Sequence, residues 1–273
     1  MRKCIILLLA LSTGLINAQR KPKIKGNRSV TEVQAALDGF HAITLLDDLE
    51  ITLEKAASPG YSITADDNLI SVLKFEVASD TLYISSFYTI TGKKQLDIKI
   101  LFTDLSALTV KEGSVSMKEM LNADQIMVRT EGLARVQMRA KTAVFTLNME
   151  GQSTGDFNLE SDSLQINLKD RADVLVYQVS SSAGLDLNDN SDLNLEGTSE
   201  HAQLYMHGYA SLRAERMEAG LIEANLSDNS AARLKAAKLV LSSAGSAKTY
   251  VFGDPEIIIS SFRDAAEIYK RTD

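Results

Sequence analysis

Cysteine is nearly absent: of 273 residues only Cys4 carries a thiol, and it lies inside the first apolar run. A disulfide framework, a thiolate metal site and a catalytic thiol further along the chain are excluded, so stability must come from a core. Tryptophan is missing altogether, which removes the widest aromatic face for stacking on a sugar. Proline is almost as scarce, with Pro22, Pro59 and Pro255 leaving residues 60–254 free of it. So long a proline-free stretch suits an uninterrupted hydrogen-bonded ladder. The three histidines, His41, His201 and His207, form no pair at a recognised metal-ligand spacing; His201 and His207 fit a coincidental surface pair, and His41, after Phe40, fits packing at a strand edge. No serine sits in a Gly-x-Ser-x-Gly elbow, so a serine hydrolase has no support.

Long apolar runs are lacking too. The first stretch, Cys4 to Leu11, follows Arg2 and Lys3 and gives way to a more polar exit ending in Asn17 and Ala18. That is the layout of a secretory signal peptide over residues 1–18, with cleavage expected between Ala18 and Gln19. No other run approaches the roughly 20 residues needed to span a bilayer as a helix. The expectation is an exported protein, periplasmic or at the cell surface, with no transmembrane segment in its mature chain.

Charge is divided unevenly. Residues 19–30 hold five basic side chains and no acid, whereas residues 31–273 hold 22 basic against 36 acidic. The leading segment reads as a basic, flexible, solvated tail. The acidic body argues against nucleic acid as a partner, because phosphate binding needs a cationic face.

What the chain has in abundance is alternation. From about Ser106 onward one theme recurs nine times: an alternating apolar run, a small or charged turn, and a second alternating run. Leu147 and Met149 lead to Phe157 and Leu159; Ile166 and Leu168 lead to Val174 and Val176; Leu185 and Leu187 lead to Leu193 and Leu195. Taking Val115, Val136, Phe157, Val174, Leu193, Leu212, Ala232, Ala247 and Ala265 as equivalent gives steps of 21, 21, 17, 19, 19, 20, 15 and 18. A repeat near this length is that of a solenoid coil, and it assigns Val115, Val136, Phe157, Val174, Leu193 and Leu212 to the interior.

Between Phe40 and Phe102 the strands are less regular: Ala42 to Leu46, Leu49 to Leu53, Tyr61 to Thr64, Val72 to Val77, Thr81 to Ser85 and Leu96 to Leu101. They read as an irregular first layer, residues 31–105, of the same domain that continues as repeated coils through 106–273. Local propensity favours helix at Ala231 to Leu239, where stacking on neighbouring strands should prevail. Thr31 to Leu37 suits a helix as well, but Val33, Ala35 and Leu37 also alternate, and both readings stay open.

This layout resembles the family of "putative" autotransporter adhesins with a head GIN domain. The resemblance rests on Phe40 to Ile43, Leu49 to Leu53, Asp66 to Leu69, Thr81 to Ile84, Leu96 to Ile100 and the strand-turn-strand units. The Gly-Ile-Asn stretch that names the family is replaced here near Asp47, Asp48, Leu49 and Glu50. The resemblance implies an all-β, single-stranded, right-handed parallel β-helix. An extended rigid face with modest side-chain chemistry suits weak, multivalent contact better than catalysis, so the expectation is an exported, non-enzymatic binding or adhesion scaffold that presents an extended sheet face to a cell-surface glycan or protein.

Several residue sets invite chemistry. Glu112, Glu131, Glu150, Asp170, Asp189 and Asp228 fall at or near one turn, and Asp186, Asn188, Asp189 and Asp192 are dense enough in oxygen to suggest calcium. Ordinary solvated turns explain the same residues. No other cofactor is implied. Right-handed β-helices include polysaccharide lyases, and that analogy calls for a base such as Arg171 or Arg213 converging with acids in one groove. Convergence would favour a carbohydrate-active enzyme, and acids scattered along all coils would favour a binder. Tyr205, Tyr209, Tyr250 and Phe252 read as rim or partial-core residues. Asn148, Asn167 and Asn194 suggest polar ladders.

Overall fold

The computed structural model describes residues 21–271. The signal-peptide segment and its expected cleavage point at Ala18 and Gln19 lie outside them. The described residues are 70% strand and 2% helix and form a parallel β-solenoid of about nine turns.

The regular part begins with β11 (Ser114–Thr130) and continues through β12 (Arg135–Met149), β13 (Thr154–Leu168), β14 (Asp173–Leu187), β15 (Asp192–Met206), β16 (Ser211–Leu226) and β17 (Ala231–Ser243). Each of these strands pairs in parallel with the next. Within β12 the alternation of buried and exposed residues runs from Val136 to Thr142, breaks where Ala143 and Val144 both face out, and resumes at Phe145. Two outward residues in succession reverse which side faces the core, so one long strand turns a corner and serves two faces of the coil.

The registers place Val115, Val136, Gly155, Val174, Leu193, Leu212, Ala232, Thr249 and Ile268 in one column, with steps of 21, 19, 19, 19, 19, 20, 17 and 19. The sequence alignment of the units is thus corrected at three places: Gly155 replaces Phe157, Thr249 replaces Ala247 and Ile268 replaces Ala265. Phe157 is interior as expected, but it stacks beside Met138. Its ring folds back over Gly155, where a Cβ would collide with Cε2 of Phe157. A glycine therefore hides the equivalence, because the side chain filling its place comes from two residues on.

Every coil closes through a turn with one residue in the left-handed region. Gly132, Gly151, Asp170, Asp189, Gly208, Asp228, Gly245 and Asp264 hold this position, with φ between 59° and 78°. Glycine, and aspartate among the others, are the residues that tolerate it. The turns are hydrogen-bonded to one another as the strands are: Arg171 N donates to Gly151 O at 2.8 Å and Asn190 N to Asp170 O at 2.7 Å. The position closing the turn is always small, and it is buried at Ala134, Ser153, Ala172, Ser191, Ala210, Ser230 and Ala247, while Ala266 in the last coil is half-buried.

The first layer winds differently. β3 (Ala42–Leu45) lies between β7 (Thr81–Ser86) and β10 (Ala107–Val110), and β4 (Glu50–Lys55) between β9 (Leu96–Phe102) and β11. The coil made of β3 and β4 is therefore second in space although it comes first in sequence. From β4 the chain passes outward through β5 (Gly60–Asp66), α1 (Asp67–Ile70) and β6 (Leu73–Ala78), builds the outermost coil from β7 and β9, and steps back over to β10. β5 runs antiparallel to β9, β6 antiparallel to β7, and β2 (Val30–Ala36) antiparallel to β5.

Two propensity questions are settled here. Residues 30–36 are strand β2, and Ala231–Ser243 is strand β17, paired in parallel with β16 on both sides of a register shift between Ala214 and Ala219. The basic leading segment is not a free tail over its described part. β1 (Lys23–Lys25) pairs with β8 (Thr89–Gly92), Lys21 contacts the Asp47 carboxylate, and Asn27 N donates to Asn68 Oδ1 at 2.9 Å. Backbone pairing and a carboxylate partner override the charge repulsion that favours a solvated tail. The chain ends in β18 (Lys248–Phe252), β19 (Glu256–Phe262) and β20 (Glu267–Lys270).

Candidate functional site: a hydroxyl-lined corner groove

The corner where each long strand bends lacks bulky side chains. Thr142, Ser161, Ser180 and Ser199 occupy successive levels of one column, about 4.8 Å apart as neighbouring strands must be. A groove of about 620 Å³ runs along this corner, flanked by Lys141 and Glu160. Ser180 Oγ and Ser199 Oγ lie 3.3 Å apart, and Ser199 Oγ donates to His201 O at 3.1 Å. Among the described residues Thr142 Oγ1 and Ser161 Oγ have no hydrogen-bond partner. Both oxygens are screened from solvent, so the hydroxyls open to a ligand are those of the exposed Ser181 and Thr198 along the same corner.

Lys141 Nζ sits 2.8 Å from Glu160 Oε2, and this hydrogen bond raises the lysine above its ordinary range, so the ammonium is retained. Val179 lines the same groove and belongs with Leu175 and Tyr177 to an outward stripe on β14, each more than 40% exposed. The groove thus offers hydroxyls, one ion pair and an apolar flank. It can take hydrogen bonds and stack weakly against an extended ligand. Sequence reading missed it because isolated serines and threonines become a row only when the coils stack.

The acidic residues near the turns separate into two rows. Glu112, Glu131 and Glu150 precede the left-handed position, while Asp170, Asp189 and Asp228 occupy it. The aspartates are engaged with the backbone of the preceding coil: Asp170 Oδ2 accepts from Gly151 N at 3.0 Å, Asp189 Oδ2 from Asp170 N at 3.3 Å and Asp228 Oδ2 from Gly208 N at 3.0 Å. Of the four residues expected to suit calcium, Asp189 is thereby occupied. Asn188 Nδ2 donates to Asp186 Oδ1 at 2.7 Å, and Asp192 Oδ1 lies 2.7 Å from the Arg213 guanidinium. Burial pushes the Asp192 carboxyl above its ordinary range, against the pull of Arg213. Among the described residues no group of three or more His, Cys, Asp or Glu side chains is placed to hold a metal.

Arg213 is committed to Asp192, and Arg171 lies in an exposed turn. Neither lines the corner groove or the polar grooves around Asn148, Gly155 and Glu112. The acids are spread along the coils. His41 bonds Asp80 at 2.8 Å, His201 bonds Glu223 at 3.2 Å and His207 bonds Ser227 Oγ at 2.7 Å, three separate surface pairs. Asn167 Nδ2 donates to Asn148 Oδ1 at 2.7 Å, so this ladder forms, but Asn194 lies on the other face opposite Leu175 and Arg213. Tyr205 and Tyr209 are exposed, while Tyr250 stacks on Tyr269 with ring centroids 5.1 Å apart and Arg271 over both rings.

Stacked coils with an open, polar outer surface define the β-solenoid class of repeat scaffold. The chain belongs to the family described as "Putative auto-transporter adhesin, head GIN domain", whose profile matches residues 39–158 and again 143–255. The solved structure of a "putative adhesin" from Parabacteroides merdae is similar, at 14% identity, 92% of this chain, 98% of that one and a TM-score of 0.66. A "putative adhesin" from Parabacteroides distasonis is similar at 15% identity, with 92% and 98% covered and a TM-score of 0.66. A "Putative lipid binding protein" from the same species is similar at 20% identity, with 91% and 96% covered and a TM-score of 0.60. At these identities the likeness is one of fold. No curated protein matches the chain. Among the described residues no helix is long and apolar enough to cross a membrane.

Proposed function

We propose that this protein is an exported, non-catalytic binding scaffold, periplasmic or at the cell surface, that engages an extended glycan along its corner groove. The observation that carries this reading is the open groove of about 620 Å³ crossing successive coils, lined by small polar residues, with the exposed Ser181 and Thr198 and the Lys141–Glu160 ion pair available to a ligand. Repeated weak sites at a fixed spacing suit a repeating polymer, because each further sugar bound gains from the tethering of the last. The family's adhesin description supports a binding role in general. An array of cell-surface glycans tests the proposal: the full chain should retain an oligosaccharide, and Ser181→Trp, which fills the groove from its rim, should abolish retention without changing circular dichroism. Retention of no glycan, or retention unaffected by that substitution, overturns it. Capture of a protein through the Leu175, Tyr177 and Val179 stripe would be the competing outcome.

A further inference from the structure

The last coil leaves two strands with one free edge each. β19 pairs with β17 and β20 with β18, and among the described residues neither has a strand on its other side. Ile257, Ile259 and Phe262 stand over Leu239, Leu241 and Ser243, three interior positions that are at most 1% exposed. Yet the three are themselves 39%, 51% and 41% exposed. They are core-facing side chains with no described residue stacked above them.

The two free edges differ in charge. β20 carries Glu267 and Lys270, and Arg271 follows; charged side chains at an edge oppose pairing with another chain. From Ile257 to Phe262, β19 carries none. An uncharged, apolar, extended edge is a template for strand addition.

We propose that β19 is the seam of an end-to-end homodimer, formed by antiparallel pairing with β19 of a second copy. Setting Ile257 opposite Phe262 puts both on the inner side, where each extends the apolar column of its own coil. The same offset sets Ile258 opposite Ser261 on the outer side and brings Glu256 opposite Arg263 at each end of the seam. A two-fold contact uses one patch twice, so the acid-base match occurs in duplicate. Glu256 and Arg263 are both exposed, and among the described residues Arg263 has no carboxylate partner while Glu256 touches only Lys238, at 3.2 Å. The opposite end of the solenoid does not offer the same edge, since β2 carries Glu32 and β6 carries Lys74 and Glu76. Assembly therefore stops at two copies instead of running into a fibre.

Sedimentation equilibrium on the full chain should give a dimer that dissociates on dilution, and removing residues 1–18 should leave it unchanged. Ile259→Lys places two ammonium groups at the two-fold and should raise the dissociation constant at least about a hundredfold, with the circular dichroism spectrum intact. Glu256→Arg and Arg263→Glu should each weaken the dimer about tenfold, and the double exchange should restore it. The two charge exchanges sit on exposed side chains, so they decide the matter even if Ile259→Lys fails to fold. A monomer at every concentration, dimerisation that depends on residues 1–18, or a double exchange without recovery overturns the proposal.

Discussion

Coils β12 to β16 and the layer built from residues 30–105 contribute side chains to one continuous apolar core, yet they choose strand partners by different rules. In the coils the partner of a residue lies one repeat further on, nearly always 19 or 20 positions away. In the first layer Ile51 pairs with Ile98 on one side and Val115 on the other, and β5, β6 and β2 run antiparallel. Local alternation plus a left-handed turn suffices to specify the first arrangement. The second needs the whole layer to be present, because its partners are remote in sequence and out of order.

The sharpest probe of that contrast is the core of the regular coils. Phe157→Ala removes the ring that also fills the space above Gly155 and should cost roughly 3–5 kcal/mol in denaturant-induced unfolding. A cost below about 1 kcal/mol would mean that the coils are less tightly coupled than their packing implies.

A smaller effect is expected at the turns. Asp189→Ala forces an unsuitable residue into the left-handed region and should cost about 1–2 kcal/mol, read from the thermal midpoint, while Asp189→Gly should cost less. If the two substitutions cost the same, the hydrogen bond to Asp170 N and not the backbone conformation is what the aspartate supplies.

Acid separates the two regions by sign. Asp66, buried in the first layer, accepts from Lys94 N at 3.0 Å, and that backbone hydrogen bond holds its carboxyl below the ordinary value. A depressed folded value gives stability that is present above the unfolded value and lost as pH falls through the folded one. Burial raises Asp192 in the coils, so its ionisation costs stability as pH rises and protonation relieves that cost. Hydrogen exchange on acidification below the ordinary carboxylate range should expose the amides of Lys94 and Gln95 before those of β14 and β15. Loss of protection in the reverse order would contradict this assignment. The smallest expected effect is that of a calcium chelator, which should leave the melting temperature unchanged; a fall would return Asp186 and Asp189 to consideration as ligands.

The coils were legible because each carries its own alternation. Val115, Val136, Val174, Leu193 and Leu212 could be aligned by eye, and even Ala231 to Leu239 could be assigned to strand against its helical preference. Gly155 could not be recognised as their equivalent, since a residue without a side chain gives no alternation signal. Strands β3 to β7 and β9 of the first layer were also legible one by one, whereas β2 stayed open between helix and strand and β8 was not read; nor was it legible that β3 and β4 lie inside β7 and β9, since nothing local in a strand states which neighbour it will find. At the candidate site the turn aspartates drew attention as charges, whereas their structural work depends on backbone conformation. The hydroxyl row went unread because serine and threonine at a corner look like any polar turn until stacked.

The out-of-order coil also bears on the timing of folding. β3 and β4 acquire both flanking strands only after the chain has been made through β7, β9, β10 and the start of β11. A chain emerging from its N-terminus therefore holds its first two core strands in waiting until about residue 116, whereas each later coil can add as soon as its own residues appear. Where closing this layer limits the rate, a lesion in it should slow assembly while one in a late coil should mainly hasten unfolding.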